Sequence, residues 1–123
     1  KQGVMIYKIA YKDKSLVYAT DTEGYVGANK KLVLFARDTD LLIHDAQYTS
    51  EEYLNAYFSK QGYGHSTFDM ALETFSQAKA KSLAFFHFDP NYNDEFLLEI
   101  ENHYTENCKN CFIPKEGQEI VLR

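Results

Sequence analysis

Acidic and imidazole side chains follow three apolar segments of this sequence, at the point where each apolar run ends. The apolar runs are LVYA (16–19), LLI (41–43) and LAFF (83–86). The polar residues that follow them, in chain order, are Asp21, His44 with Asp45, and His87 with Asp89. Imidazole and carboxylate groups bind zinc, manganese and iron in proteins, and they are equally the working groups of acid–base sites. The pattern predicts one of these two kinds of site without deciding between them.

A fourth segment whose residues could bind a ligand or take part in a reaction is Gly62-Tyr63-Gly64-His65-Ser66-Thr67. Its glycines allow close approach of the backbone, and Ser66 or Thr67 can begin a helix whose free N–H groups attract an anion. His65 beside such a helix end suits phosphate binding or proton donation. The alternative interpretation is a turn with a helix cap and a surface histidine.

Strands must position these groups, and the apolar runs predict where they lie. We expect strands over residues 4–10, 15–19, 40–43 and 82–86, then two short strands near 111–113 and 119–122. If the middle strands are parallel, their carboxyl ends meet at one edge of the sheet, where α/β-type sheets tend to hold ligands. The acidic and imidazole residues would then gather at that edge.

Helices are predicted between the strands. A short one covers residues 31–36, and Thr49 caps another that runs to about residue 59. Ser66 or Thr67 begins a third, through residue 79, with an apolar stripe at helical spacing. A fourth starts at Asn93 or Asp94 and runs to about residue 104. Strands that are adjacent early and alternate with helices later give an α+β class.

Composition restricts the kind of protein. The chain has 123 residues, 45% hydrophobic and 25% charged, the balance of a soluble globular protein. No apolar run approaches the ~20 residues that cross a bilayer, so no membrane is expected. The net charge is −5 with no basic cluster, which disfavours nucleic acid as a partner. The single CxxC, Cys108 and Cys111, lacks the second pair of a zinc ribbon and is interpreted as structural, and so few cysteines fit a reducing cytoplasm.

Four strings of the sequence together resemble a known family. In chain order they are YATDTEG (18–24), LLIHDAQYTSEEY (41–53), GYGHST (62–67) and FFHFDPNYND (85–94). They resemble the metallo-β-lactamase-fold hydrolases of the phosphodiesterase-like and ribonuclease Z-like branch. The resemblance implies half of an αββα four-layer sandwich, with a mixed sheet and flanking helices.

The resemblance also implies a site with two divalent metal ions, zinc before manganese or iron. Asp21 would bridge the metals, His87 would bind the second one, and His65 would donate a proton to the leaving group. The residues expected to support the site or the substrate are His44, Asp45, Ser66 and Thr67.

One departure from the family is plain in the sequence. In that family the principal metal ligands come from an HxHxDH motif. This sequence has four histidines, His44, His65, His87 and His103, and none of them belongs to such a motif. Residues 1–123, which begin at Lys1, are therefore expected to be a single partial domain, the C-terminal half of a metal-dependent hydrolase, inactive alone. Acidic charge favours a small phosphodiester substrate. A missing half, a partner or a second copy would complete the site, with a homo-oligomer expected from an exposed apolar face. The alternative is a degenerate, non-catalytic interaction domain.

Overall fold

The computed structural model describes residues 3–123 and consists of one mixed sheet with helices on one face. The strands are β1 (Tyr7–Tyr11), β2 (Lys14–Ala19), β3 (Leu41–Asp45), β4 (Ser82–Phe86) and β5 (Cys111–Phe112). The helices are α1 (Lys30–Phe35), α2 (Ser50–Tyr53), α3 (Phe68–Ala78) and α4 (Asp94–Thr105). The strands lie in the order β1-β2-β3-β4-β5, with β1 antiparallel to β2 and each of the other pairs parallel. The predicted α+β class is confirmed, and the middle strands are parallel, which is the condition for the acidic and imidazole residues to gather at one edge.

Alternate side chains of the central strands form the core. Because side chains alternate between the two faces of a strand, one face of β2 from Val17 onward, of β3 and of β4 is apolar apart from His44. Its residues, each no more than 1% exposed, are Val17, Ala19, Leu42, His44, Leu83 and Phe85. Leu32 of α1, Phe68 and Ala71 of α3 and Ile100 of α4 belong to the same buried cluster. The helices therefore cover this face and fix the carboxyl ends of the strands.

Phe68, the first residue of α3, lies at the centre of this core. It is completely buried, and its ring lies 5.3 Å from that of Phe85 and 5.7 Å from that of Tyr104 between centroids. We expect Phe68→Ala to lower the free energy of unfolding of the full-length protein by about 3–5 kcal/mol, because it leaves a cavity among aromatic rings. Urea unfolding measures this loss, with Phe58→Ala at a 76% exposed position as the matched control. A loss no larger than that of the control would contradict the central role of Phe68.

The opposite face of the sheet carries apolar side chains that remain partly exposed. Tyr7, Ile9 and Tyr11 of β1 are 52%, 59% and 73% exposed. By register, Tyr7 shares its face with Tyr18, and Ile9 shares it with Leu16. The expected exposed apolar face is thus present, and the dimerisation expected from it remains a prediction.

The limits of several predicted elements shift by a few residues: the strands predicted over 4–10 and 40–43 are Tyr7–Tyr11 and Leu41–Asp45. Two predictions fail more clearly, since one helix is shorter than expected and one strand is absent. The helix capped by Thr49 ends at Tyr53 instead of about residue 59, because the side-chain oxygen of Asn55 accepts from the N–H groups of Tyr57 and Phe58 and turns the chain. Residues 119–122 form no strand and are mostly exposed, since β5 ends the sheet at Phe112.

Two further features bear on the environment of the chain. Within residues 3–123, no helix is both long and apolar enough to cross a membrane. Cys108 and Cys111 are joined by a disulfide that links the turn after α4 to β5. A structural role for the cysteines agrees with this bond, whereas the bond gives no support to the expectation of a reducing compartment.

Candidate metal and acid–base site

Asp21 and His87 meet at the carboxyl edge of the sheet, one beyond the end of β2 and the other beyond the end of β4. Both have left-handed backbone conformations, with φ of 53° and 61°. Such values are uncommon for residues other than glycine, and they persist only where the surrounding structure imposes them. His87 Nε2 lies 3.5 Å from Asp21 Oδ1, so the two residues are side by side across the end of β3.

Asp45, the last residue of β3, is a buried carboxylate between the histidines. Its Oδ2 lies 2.9 Å from His65 Nδ1 and 3.6 Å from His87 Nδ1, and its Oδ1 accepts from the backbone N–H of Ser66 at 2.9 Å. The Asp45 side chain is 0% exposed, whereas that of His65 is 19% exposed. Because a carboxylate can only accept, His65 Nδ1 carries the proton, and its Nε2 is left available for chemistry.

The two imidazole rings are stacked, and with Asp21 they form a compact donor set. The His65 and His87 centroids are 5.0 Å apart at an interplanar angle of 13°. One ligand atom from each of Asp21, His65 and His87 lies within 4.8 Å of the others. A carboxylate and imidazoles are donors that zinc, manganese and iron accept, so these residues fit such an ion. His87 Nδ1 is a buried nitrogen with no hydrogen-bond partner among residues 3–123, which also fits.

Ser66 and Thr67 hold the loop that carries His65. The Ser66 hydroxyl is buried, donates to the carbonyl of Thr22 at 2.6 Å and accepts from the N–H of Gly24 at 2.8 Å. Thr67 caps α3 by accepting from the N–H of Met70 at 3.0 Å. Ser66 therefore fastens the His65 loop to the segment that follows Asp21, while Thr67 fixes the start of the helix.

Comparisons with known proteins show what this chain is similar to. Curated relatives include ribonuclease Z of Pyrococcus furiosus (34% identical over 87% of this chain), of Thermococcus sibiricus (37% over 89%) and of Bacillus subtilis (34% over 80%). The chain spans 30–32% of the length of these relatives. No family model matches.

Solved structures give the same fold. The metallo-β-lactamase fold protein YhfI from Bacillus subtilis superposes with a TM-score of 0.68 at 18% identity, over 90% of this chain and 41% of that chain. The short form of human tRNase Z, ELAC1, gives 0.64 at 18% identity, over 96% and 37%. This chain matches the C-terminal part of a metallo-β-lactamase-fold, ribonuclease Z-like protein. The resemblance drawn from its four strings and the expected sandwich half are confirmed.

His44 of the ribonuclease Z-like chain does not join the donor set. It lies on the core face of β3, opposite Asp45, and is completely buried. Its Nδ1 donates to the backbone carbonyl of Asp45 at 2.7 Å, and its Nε2 has no partner among the residues described. Burial lowers the pKa of His44, more than the neighbouring Asp45 raises it, and so favours the neutral ring. Its link to the site therefore runs only through the Asp45 backbone.

Glu23 is a further buried residue beside this site, and the sequence did not single it out. This carboxylate is only 8% exposed, and its Oε1 accepts from the Tyr53 hydroxyl at 2.8 Å and from the Gly62 N–H at 2.7 Å. Burial and then Glu23 raise the pKa of Tyr53 to about 12, which keeps its hydroxyl a donor. Because glutamate side chains are usually exposed, nothing in the sequence predicted that Glu23 is buried. The one available signal was that Glu23 lies two residues after Asp21.

Proposed function

We propose that the full-length protein is a divalent-metal-dependent hydrolase of phosphodiester bonds and that its substrates are RNA. The observation that carries this proposal is the ordered pair of Asp45 and His65 beside the donors Asp21 and His87. Curated relatives named ribonuclease Z and a structural neighbour named tRNase Z support the same class of reaction. Because the chain spans about a third of those relatives, the activity belongs to the full-length protein.

Asp21 and His87 are the residues that we propose to hold metal. We propose two ions per site, zinc before manganese or iron, with the remaining ligands supplied from outside these 123 residues. A bound divalent metal would polarise a phosphoryl oxygen and provide a hydroxide nucleophile near neutral pH. The Asp21 carboxylate would offset metal charge, and the His87 imidazole would bind without adding negative charge.

His65 is proposed as the proton donor to the departing oxygen. The Asp45 carboxylate orients the ring through Nδ1, while Nε2 remains free to deliver a proton. An alkoxide leaves poorly unless it is protonated, so this step matters most for a nucleotide leaving group. The edge of Tyr48 against the His65 ring, at 6.3 Å and 83°, holds the other side of that ring.

The choice of substrate differs from the preference that acidic charge suggested. The net charge of −5 favoured a small phosphodiester, but it describes only this part of the protein. Nothing in the fold or the comparisons supports a small substrate over nucleic acid, and the relatives named ribonuclease Z support RNA.

Metal content and hydrolysis, measured together, test the proposal. Full-length protein prepared without chelator is expected to hold about two metal ions per chain by elemental analysis. It is expected to cleave both bis(4-nitrophenyl) phosphate and a labelled single-stranded RNA, to lose both activities in EDTA, and to regain them with zinc or manganese. Absence of both metal and hydrolysis would instead favour a non-catalytic interaction domain.

A further inference from the structure

An open pocket of about 280 Å³ adjoins the site. It lies between the loop of residues 55–60, upstream of His65, and the turn of residues 89–92, downstream of His87. Its volume lies just below the roughly 300 Å³ at which small-ligand pockets begin, so it suits a small group such as one base and not a whole ligand. An RNA strand with one phosphate at the donor set could therefore reach this pocket. Any role for the pocket in binding that RNA rests on the proposed function.

Lys60 places a positive charge at this pocket, whose lining also includes the carboxylates Glu52 and Asp89, the former accepting from the Tyr92 hydroxyl at 2.7 Å. Its ammonium lies 5.9 Å from the centroid of the Tyr48 ring and 5.5 Å from that of Tyr63. Within residues 3–123, no carboxylate oxygen lies within 4.0 Å of that ammonium. Because Tyr48 also contacts the His65 ring, Lys60 is separated from the proposed proton donor by a single aromatic side chain. A cation held by ring faces and lacking an acidic partner is available to a phosphate.

Phe58 presents an exposed ring at the same pocket. It is 76% exposed although its loop is well fixed, since Asn55 Oδ1 accepts from the Phe58 N–H at 3.0 Å. The Lys60 N–H donates to the carbonyl of Tyr53 at 3.1 Å, and Glu23 anchors the loop at Gly62. Unpaired bases of single-stranded RNA stack on such aromatic rings whatever their sequence.

We propose that this pocket is a nucleotide subsite for single-stranded RNA next to the scissile bond. Lys60 contacts a phosphate of the strand, and Phe58 stacks on the base that enters the pocket. The subsite binds RNA through one charge and one ring, so it contributes affinity with little base preference.

Binding of RNA by the full-length protein tests the subsite independently of hydrolysis. Fluorescence anisotropy with a labelled single-stranded RNA of about 12 nucleotides, in EDTA to prevent cleavage, gives Kd at several salt concentrations. Lys60→Gln is expected to raise Kd roughly fivefold and to reduce the slope of log affinity against log salt by about 0.7. Phe58→Ala is expected to raise Kd about tenfold without changing that slope. Lys31→Gln, on an exposed position of α1, is the matched control and should change neither quantity.

The outcomes separate this proposal from the proposed function. Unchanged Kd and salt slope in Lys60→Gln, an equal change in Lys31→Gln, or no RNA binding by the unaltered protein would each overturn the subsite. Hydrolysis of RNA and of bis(4-nitrophenyl) phosphate by the unaltered protein is measured in parallel. If hydrolysis is absent while Lys60-dependent binding persists, the proposed function fails together with the placement next to a scissile bond, whereas binding of RNA by the pocket stands.

Discussion

Replacing His65 by alanine is expected to lower kcat on RNA by about 100- to 10,000-fold in the full-length protein. The reason is that the departing ribose oxygen then leaves as an unprotonated alkoxide, since the ring oriented by Asp45 is gone. Hydrolysis of bis(4-nitrophenyl) phosphate should be largely spared, because 4-nitrophenolate leaves without a proton. Steady-state kinetics on both substrates measure the difference.

The control for this variant is His103→Ala, which removes an exposed histidine of α4 and should affect neither substrate. Equal losses on RNA and on the activated diester in His65→Ala would show that His65 does something other than protonate the leaving group. Metal content of the variant, measured alongside, identifies the most direct alternative, in which His65 is a ligand, because its nitrogen lies within 4.8 Å of the ligand atoms of Asp21 and His87.

Asp21→Ala is expected to remove most of the tightly held metal and to reduce hydrolysis of both substrates by more than about 100-fold. Loss of a residue that merely orients a ligand already costs 10- to 100-fold in metal affinity or activity, and a direct ligand should cost more. His87→Ala should behave in the same way. Elemental analysis and kinetics at rising zinc concentration measure the effect, because weakened sites regain activity at high metal.

Asp13→Ala provides the matched acidic control, since the Asp13 side chain is 83% exposed in the turn between β1 and β2. It should retain metal and activity. Full metal content in both Asp21→Ala and His87→Ala would contradict their assignment as ligands. It would indicate that residues outside this chain bind the metal.

The sequence predicted the strands of the site well because their signals are local. Residues 83–86 are apolar and bounded by polar residues, and with Ser82 they form β4 within the predicted limits. The parallel arrangement was a condition that the sequence left open; β2, β3 and β4 meet it, and Asp21, Asp45 and His87 therefore lie at one edge of the sheet.

Other features could not be predicted because they depend on contacts between distant segments. The face on which His44 lies depends on the register of β3 against β2 and β4, and that register turns it into the core. The partners of Glu23 are Tyr53 and Gly62, far away in the chain, so no local pattern reveals its burial. The early end of α2 depends on Asn55, whose side-chain oxygen accepts from the N–H of Tyr57. The pattern that predicted the helix, its cap and acidic first turn, does not reveal this hydrogen bond.

The hydroxyl of Ser66 has a consequence for the energetics of catalysis. Because it joins the Thr22 carbonyl and the Gly24 N–H, the loop after Asp21 and the loop of His65 are held as one rigid body. For the acid and the ligand that we propose, His65 and Asp21, the conformational entropy of alignment is then lost when the polypeptide folds, and little of it remains to be lost when the substrate binds. Such an arrangement keeps the reorganisation of protein dipoles small during the reaction.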